Sequence, residues 1–183
     1  INVPEKGDYR VLSIGEGTDE RNFLYISLDK SLNFIPLIDK FEASYRFLGG
    51  NAETLWFFSN LDAPNGKILS LNISDKKFQW QELIGEKTFP ISGASIAGDK
   101  LIINYLKDTI SQVEFYNLQG KFIKELPYKN IGTLSGFTGR FDSNSTYFEF
   151  SNFTSPQRIY ELDLKSREYS NRFRKSSSFS GSP

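Results

Sequence analysis

The residues with which this chain could do chemistry are its carboxylates, because it contains no histidine and no cysteine. A Ser-His-Asp triad, a Cys-His pair and a histidine metal site all require an imidazole or a thiolate. Glu16, Asp19 and Glu20 lie together in one stretch and could in principle bind a hard cation such as calcium. Solvated loop charges explain them more simply. We therefore expect no catalytic residue, no metal site and no cofactor in this chain.

Motifs and charge narrow the function further. The sequence has no GxSxG elbow, GxGxxG loop or Walker A pattern. Its 22 basic residues balance 22 acidic ones, so no net charge attracts a phosphate backbone or an anionic membrane. No segment approaches the ~20 consecutive apolar residues of a membrane span. We expect a soluble protein, cytoplasmic by default, with neither nucleic acid nor membrane as a partner.

The elements that must position these residues repeat along the chain. A short apolar strand ends at Ser13, Ser59, Tyr105 and Ser151, each 46 residues after the one before. Each is followed by a loop, a second strand closed by Asp or Asn, and a returning third strand. A shorter strand rich in Gly, Ser and Ala precedes most units. Four-stranded units of ~40 to 50 residues are typical of β-propeller blades.

The repeat predicts an all-β chain, a partial β-propeller of about four four-stranded antiparallel blades. Three blades are complete, and in the first the innermost strand is missing or irregular. The approximate blade ranges are 1–40, 41–84, 85–130 and 131–175, and a Ser-rich tail follows at 176–183. A solenoid or a β-sandwich is the alternative, and short strands with frequent turns would fit a sandwich too. An open arc would leave two apolar blade faces uncovered, so we expect the isolated chain to dimerise, swap strands or aggregate.

Four passages resemble the propeller of the prolyl oligopeptidase family, the proline-cleaving serine peptidases. They occur in the family's order along nearly the whole chain. They are YRVLSIGEGTDERNFLYISLD (9–29), LIDKFEASYRFL (37–48), YLKDTISQVEFYNL (105–118) and YFEFSNFTSPQRIYELDL (147–164).

The resemblance implies an arc of a seven-bladed propeller that caps an α/β-hydrolase domain carrying the Ser-Asp-His triad. That domain would be a partner within the same polypeptide, and short proline-containing peptides would be its substrates. The chain alone would be inactive, and its role would be to gate substrate access by size. Ser95, in SGASIAG, falls where the family has a cavity-facing position near the substrate. An ordinary small residue of an inner strand is the simpler interpretation of Ser95.

The ends of the chain suggest a fragment. It begins at Ile1, contains no methionine, and after Arg174 departs from the family pattern into KSSSFSGSP. A freestanding propeller-type module that binds a protein or peptide is the alternative function, and sequence beyond Pro183 would distinguish the two.

Overall fold

A computed structural model describes residues 1–3, 7–29, 32–74, 78–128, 130–154, 157–166 and 168–174. The regular structure of these residues consists of β-strands. No helix long and apolar enough to cross a bilayer occurs in this described part. The Ser-rich tail predicted at 176–183 lies outside the described residues.

The described strands form four antiparallel sheets whose strands follow one another in chain order. The first sheet is β1 (Arg10–Gly15), β2 (Asn22–Ser27) and β3 (Ile35–Ile38). The second is β4 (Tyr45–Gly50), β5 (Thr54–Ser59), β6 (Lys67–Asn72) and β7 (Gln79–Ile84). The third is β8 (Ile91–Ala97), β9 (Lys100–Lys107), β10 (Ile110–Asn117) and β11 (Phe122–Glu125). The fourth is β12 (Thr133–Thr138), β13 (Ser145–Ser151), β14 (Arg158–Asp163) and β15 (Tyr169–Arg174).

One three-stranded and three four-stranded sheets confirm the predicted fold class, three blades and a partial first one. On the inner side of the first sheet, beside β1, the described residues form a single bridge. There the Asn2 N–H donates to the Val11 carbonyl at 2.7 Å, and the Val11 N–H donates back at 3.0 Å. Residues 1–3 therefore occupy the innermost position of the first blade.

The chain divides into two compact units, residues 1–94 and 95–183, with the boundary inside β8. In each unit an apolar core lies between two sheets. The core of the first unit is Tyr9, Val11, Leu24, Ile26, Ala43, Tyr45, Leu55, Phe57, Leu69, Leu71 and Ile73. The core of the second unit is Ala97, Ile102, Val113, Phe115, Leu126, Leu134, Phe137, Phe148, Phe150, Tyr160, Leu162 and Leu164. Removal of these side chains from water is the main force that holds each pair of sheets together.

The central strands of the two middle sheets, β5, β6, β9 and β10, are buried on both faces, as their continuous apolar runs predict. Leu55, Trp56 and Phe57 are consecutive residues of β5, and each is at most 2% exposed. Successive side chains of a strand point to opposite faces, so both faces of β5 are covered. The first and last sheets differ: Ile14 on β1 is 44% exposed and Tyr147 on β13 is 48% exposed. Each of these two sheets leaves apolar side chains in contact with solvent on one face.

The 46-residue step identifies equivalent strands but not equivalent faces. Ser13 shares the parity of Val11, whereas Ser59 shares that of Phe57, and both of these apolar residues lie in the core between the first two sheets. Ser13 therefore lies on the face of the first sheet that faces the second sheet. Ser59 lies on the face of the second sheet that faces the first. Val11 on the first sheet and Ile102 on the third sheet occupy corresponding positions in the two cores, and 91 residues separate them.

Candidate functional site

Ser95, the substrate-binding residue predicted from the sequence, lies on the inner strand β8. Its side chain is half-buried, and its hydroxyl donates a hydrogen bond to the Phe137 carbonyl at 2.8 Å. The single proton of the hydroxyl is therefore engaged within the protein, and only its lone pairs can serve a peptide, as acceptors. Its role in binding a peptide stays a prediction.

The carbonyl that Ser95 binds belongs to a β-bulge in the inner strand β12. The register of β12 against β13 shifts between Gly136 and Thr138, which leaves Phe137 as the extra residue. Gly136 and Phe137 both have positive φ, 96° and 62°. Such a φ is unfavourable for phenylalanine. The Phe137 ring is 3% exposed and stacks on Phe148 at 5.0 Å, so burial of the ring compensates for the strained backbone.

The unpaired edge of β12 is hydrogen-bonded by the preceding sheet at several further points. The Leu134 N–H donates to the Ser111 hydroxyl at 2.8 Å, and the Leu134 carbonyl accepts from the Asn104 amide at 2.7 Å. Backbone bonds lie on either side: the Ser111 N–H donates to Gly132 at 3.2 Å and the Gly98 N–H donates to Arg140 at 2.8 Å. Because a free strand edge exposes unpaired N–H and C=O groups, these contacts fix where the inner strand lies.

The first unit contains the same arrangement around the inner strand β4. The Asn22 side chain accepts from the Tyr45 N–H at 2.7 Å and donates to the Tyr45 carbonyl at 3.1 Å. It also donates to the Ser13 hydroxyl at 2.8 Å. The Asn22 N–H completes the contact by donating to the Ala43 carbonyl at 3.1 Å. One asparagine thus binds both backbone groups of the first residue of β4.

The two units use the same residue types on exchanged strands. We call each set an Asn–Ser clamp: Asn22 with Ser13 in the first unit, and Asn104 with Ser111 in the second. In the first unit the serine is on β1 and the asparagine on β2; in the second the asparagine is on β9 and the serine on β10. Both asparagines are 6% exposed, which is unusual for this residue type.

Sequence reasoning missed the clamps, although it had a signal for one of them. Asn104 interrupts the apolar run Leu101-Ile-Ile-Asn-Tyr105 in a strand that must be covered on both faces. A polar side chain in such a strand requires a hydrogen-bond partner. Asn22 gave no such signal, because it follows the charged loop that precedes β2.

Glu16, Asp19 and Glu20 lie in the loop between β1 and β2. The Arg21 guanidinium forms a two-pronged hydrogen bond with Asp19, with Nη2 to Oδ2 at 2.6 Å. These hydrogen bonds, rather than a nearby charge alone, lower the pKa of Asp19 to about 2. The same guanidinium lies 4.9 Å from the centre of the Phe41 ring. Among the described residues no group of three or more Asp, Glu, His or Cys side chains could hold a metal ion.

A shallow groove of about 350 Å³ lies beside β14 and β15. It is lined by Ser145, Glu161, Asp163, Ser166, Glu168, Tyr169 and Ser170. The Asp163 carboxylate accepts from the Ser166 and Lys165 N–H groups, which lower its pKa. These bonds close the turn that follows β14, so Asp163 has a structural role there.

Consecutive antiparallel sheets that pack in pairs, with a short inner strand first and its free edge clamped by the sheet before it, define a β-propeller-type domain. The chain belongs to the prolyl oligopeptidase N-terminal beta-propeller domain family, whose profile matches residues 1–172. The prediction of the family from four sequence passages is thereby confirmed.

Curated relatives include prolyl endopeptidases. The chain is 27% identical over 163 residues to the prolyl endopeptidase of Elizabethkingia meningoseptica, a match that covers 88% of this chain and 23% of that protein. It is 28% identical over 160 residues to the prolyl endopeptidase of Dictyostelium discoideum, covering 81% and 21%. The chain thus spans less than a quarter of the length of these relatives.

Solved structures match the same region. A chain from a structural analysis of two prolyl endopeptidases and their inter-domain dynamics matches with a TM-score of 0.83 and 28% identity, covering 89% of this chain and 24% of that one. The apo form of prolyl oligopeptidase B from Galerina marginata matches with a TM-score of 0.84, covering 92% and 25%. Its identity is 18%, so this second match bears on the fold alone.

Proposed function

We propose that this chain is the non-catalytic propeller portion of a serine endopeptidase that cleaves short peptides after proline. The observation that carries the proposal is the family match over residues 1–172, which is to the propeller domain of a peptidase family. The chain itself has no histidine, so a Ser-His-Asp triad has to come from elsewhere in the polypeptide. In this proposal the partner of the propeller is the α/β-hydrolase domain that the family resemblance implies.

The propeller acts by geometry in this proposal. A peptide that passes along the inner strands reaches the nucleophile only if it is short and unfolded, so folded proteins are spared. The inner strand β8 suits this role, because Gly93, Ala94 and Ser95 are small and half-buried. Ser95 would accept a hydrogen bond from a peptide N–H, since its own proton is given to Phe137.

Comparison of three polypeptides tests the proposal. The full-length polypeptide should cleave a proline-containing tetrapeptide rapidly and unfolded, proline-rich β-casein slowly. The same polypeptide without the propeller should lose much of this preference. The 183-residue chain alone should cleave neither. Turnover by the 183-residue chain, or the same tetrapeptide-to-casein rate ratio with and without the propeller, would contradict the assignment.

A further inference from the structure

The two Asn–Ser clamps occupy the point in each unit where one sheet meets the inner strand of the next. In both units the backbone groups bound are the N–H and the carbonyl of one residue, Tyr45 or Leu134. In the first unit the Asn22 N–H also donates to the carbonyl of Ala43, two residues before Tyr45. In the second unit the Ser111 N–H donates to the carbonyl of Gly132, two residues before Leu134. In each unit, therefore, the same three backbone groups at the inner strand, one N–H and two carbonyls, are hydrogen-bonded by the clamp, but by different residue types.

Recurrence with exchanged residues indicates that the arrangement has a positional role. An asparagine can both accept and donate, so Asn22 alone binds both backbone groups of Tyr45. A serine in the β10 position accepts the Leu134 N–H, and the asparagine has moved to β9, where it donates to the Leu134 carbonyl. The hydrogen-bonding capacity is the same in both cases, although no single position keeps its residue type.

The inner strand held by the second clamp is otherwise easy to displace. It lies at the edge of its sheet, and its bulge at Phe137 disrupts the ladder with β13. The contacts from the preceding sheet are thus important for fixing the position of its backbone.

We propose that the Asn–Ser clamps are positioning elements that fix the inner strands of the propeller and thereby set the size of peptide that passes along them. This inference rests on the proposed function, since it assumes that the inner strands line the path of the substrate. It adds the residues that determine how wide that path is. Neither clamp touches the substrate; each acts through the backbone of the strand that follows.

Hydrogen exchange of the Leu134 amide in the 183-residue chain tests the first step. Ser111→Ala removes the acceptor of this N–H, and we expect the Leu134 amide to exchange about tenfold faster. The exchanged pair Asn104→Ser with Ser111→Asn reproduces the arrangement of the first unit and should restore slow exchange. Ser166→Ala is the matched control, because its hydroxyl also accepts a backbone N–H, that of Glu168 at 3.2 Å, but in the turn between β14 and β15. It should leave Leu134 unchanged.

The second step is measured in the full-length polypeptide as the ratio of β-casein to tetrapeptide cleavage. Ser111→Ala should raise this ratio about tenfold, and the exchanged pair should return it to the wild-type value. Unchanged Leu134 exchange in Ser111→Ala, or exchange that stays fast in the exchanged pair, overturns the clamp. Faster exchange with an unchanged cleavage ratio overturns its effect on peptide size.

If the proposed function is wrong, the result differs: the wild-type ratio of β-casein to tetrapeptide cleavage is the same with and without the propeller. If Ser111→Ala does not fold, the exchanged pair decides alone, because it retains both residue types. Wild-type exchange and ratio in the exchanged pair support the clamp, and an unfolded exchanged pair overturns it.

Discussion

At the scale of the residue, the hydrogen bond of Ser95 indicates the role of this residue more clearly than its position on an inner strand does. A hydroxyl on an inner strand could face a ligand, but this one donates to the carbonyl of a strained, buried phenylalanine. The bond links two successive sheets, because Ser95 is on β8 and Phe137 is on β12. Loss of the hydroxyl should therefore affect stability even in the absence of any peptide.

We expect Ser95→Ala to lower the free energy of unfolding by about 1 kcal/mol, because the Phe137 carbonyl loses its donor in a partly buried site. Ser95→Thr retains a hydroxyl and should remain close to the wild type. Urea-induced unfolding of the 183-residue chain, at an unchanged m-value, measures both. An alanine variant as stable as the wild type would show that the Ser95 hydroxyl does not stabilise the fold and that its only role would be to bind the peptide.

At the scale of the element, the bulge of β12 depends on a glycine. Gly136 has a φ of 96°, and a Cβ at this position would lie 2.9 Å from the Tyr147 carbonyl oxygen of the neighbouring strand. Two costs therefore oppose any side chain here, the backbone conformation and the close approach of β13. Gly17, in the loop after β1, has a positive φ of 57° but nothing within 4 Å of an added Cβ.

The pair of glycines separates the two costs. Gly17→Ala should destabilise the chain by about 1 kcal/mol, from conformation alone, and Gly136→Ala by about 1 to 3 kcal/mol more. Thermal and urea unfolding of both variants give the comparison. Equal losses would mean that β13 moves aside without cost and that the bulge is not constrained by its neighbour.

Strand positions were predictable because they depend on local patterns. Leu55 to Ser59 and Leu101 to Tyr105 are apolar runs of strand length bounded by turn residues, and they coincide with β5 and β9. The faces were not predictable from a 46-residue step. A β-bulge reverses the face of every side chain that follows it, and the bulge at Phe137 has no signal in the sequence beyond the preceding glycine.

The candidate site was less accessible to sequence reasoning than the strands. Ser95 was predicted through the family resemblance, and its bond to Phe137 could not have been foreseen, since 42 residues separate the two. The clamps were missed for the same reason. Asn104 and Leu134 are 30 residues apart, and their contact depends on how two sheets pack, which no short window of sequence contains.

At the scale of the whole molecule, the first and last sheets each leave one face with exposed apolar side chains. Ile14 on β1 and Tyr147 and Ile159 on β14's sheet are between 39% and 48% exposed. Side chains of this kind on a regular sheet face favour association, because a second sheet can cover them.

We expect the 183-residue chain to associate in solution, and Ile14→Lys or Tyr147→Lys to shift it towards the monomer by placing a charge on one uncovered face. Light scattering coupled to size exclusion measures the change. Ile131→Lys is the matched control, since Ile131 is 73% exposed in a loop and should not alter the association state. A wild-type chain that is monomeric at high concentration would contradict the expectation.

The exchange of asparagine and serine between the two clamps affects how evolutionary variation in such propellers should be interpreted. When the hydrogen-bonding residue can lie on either of two neighbouring strands, neither alignment column is invariant. Each position considered alone would then be interpreted as tolerant of substitution. The constraint resides in the joint occupancy of two columns. Covariation between them, rather than conservation of either, is where selection on the inner strands would be recorded.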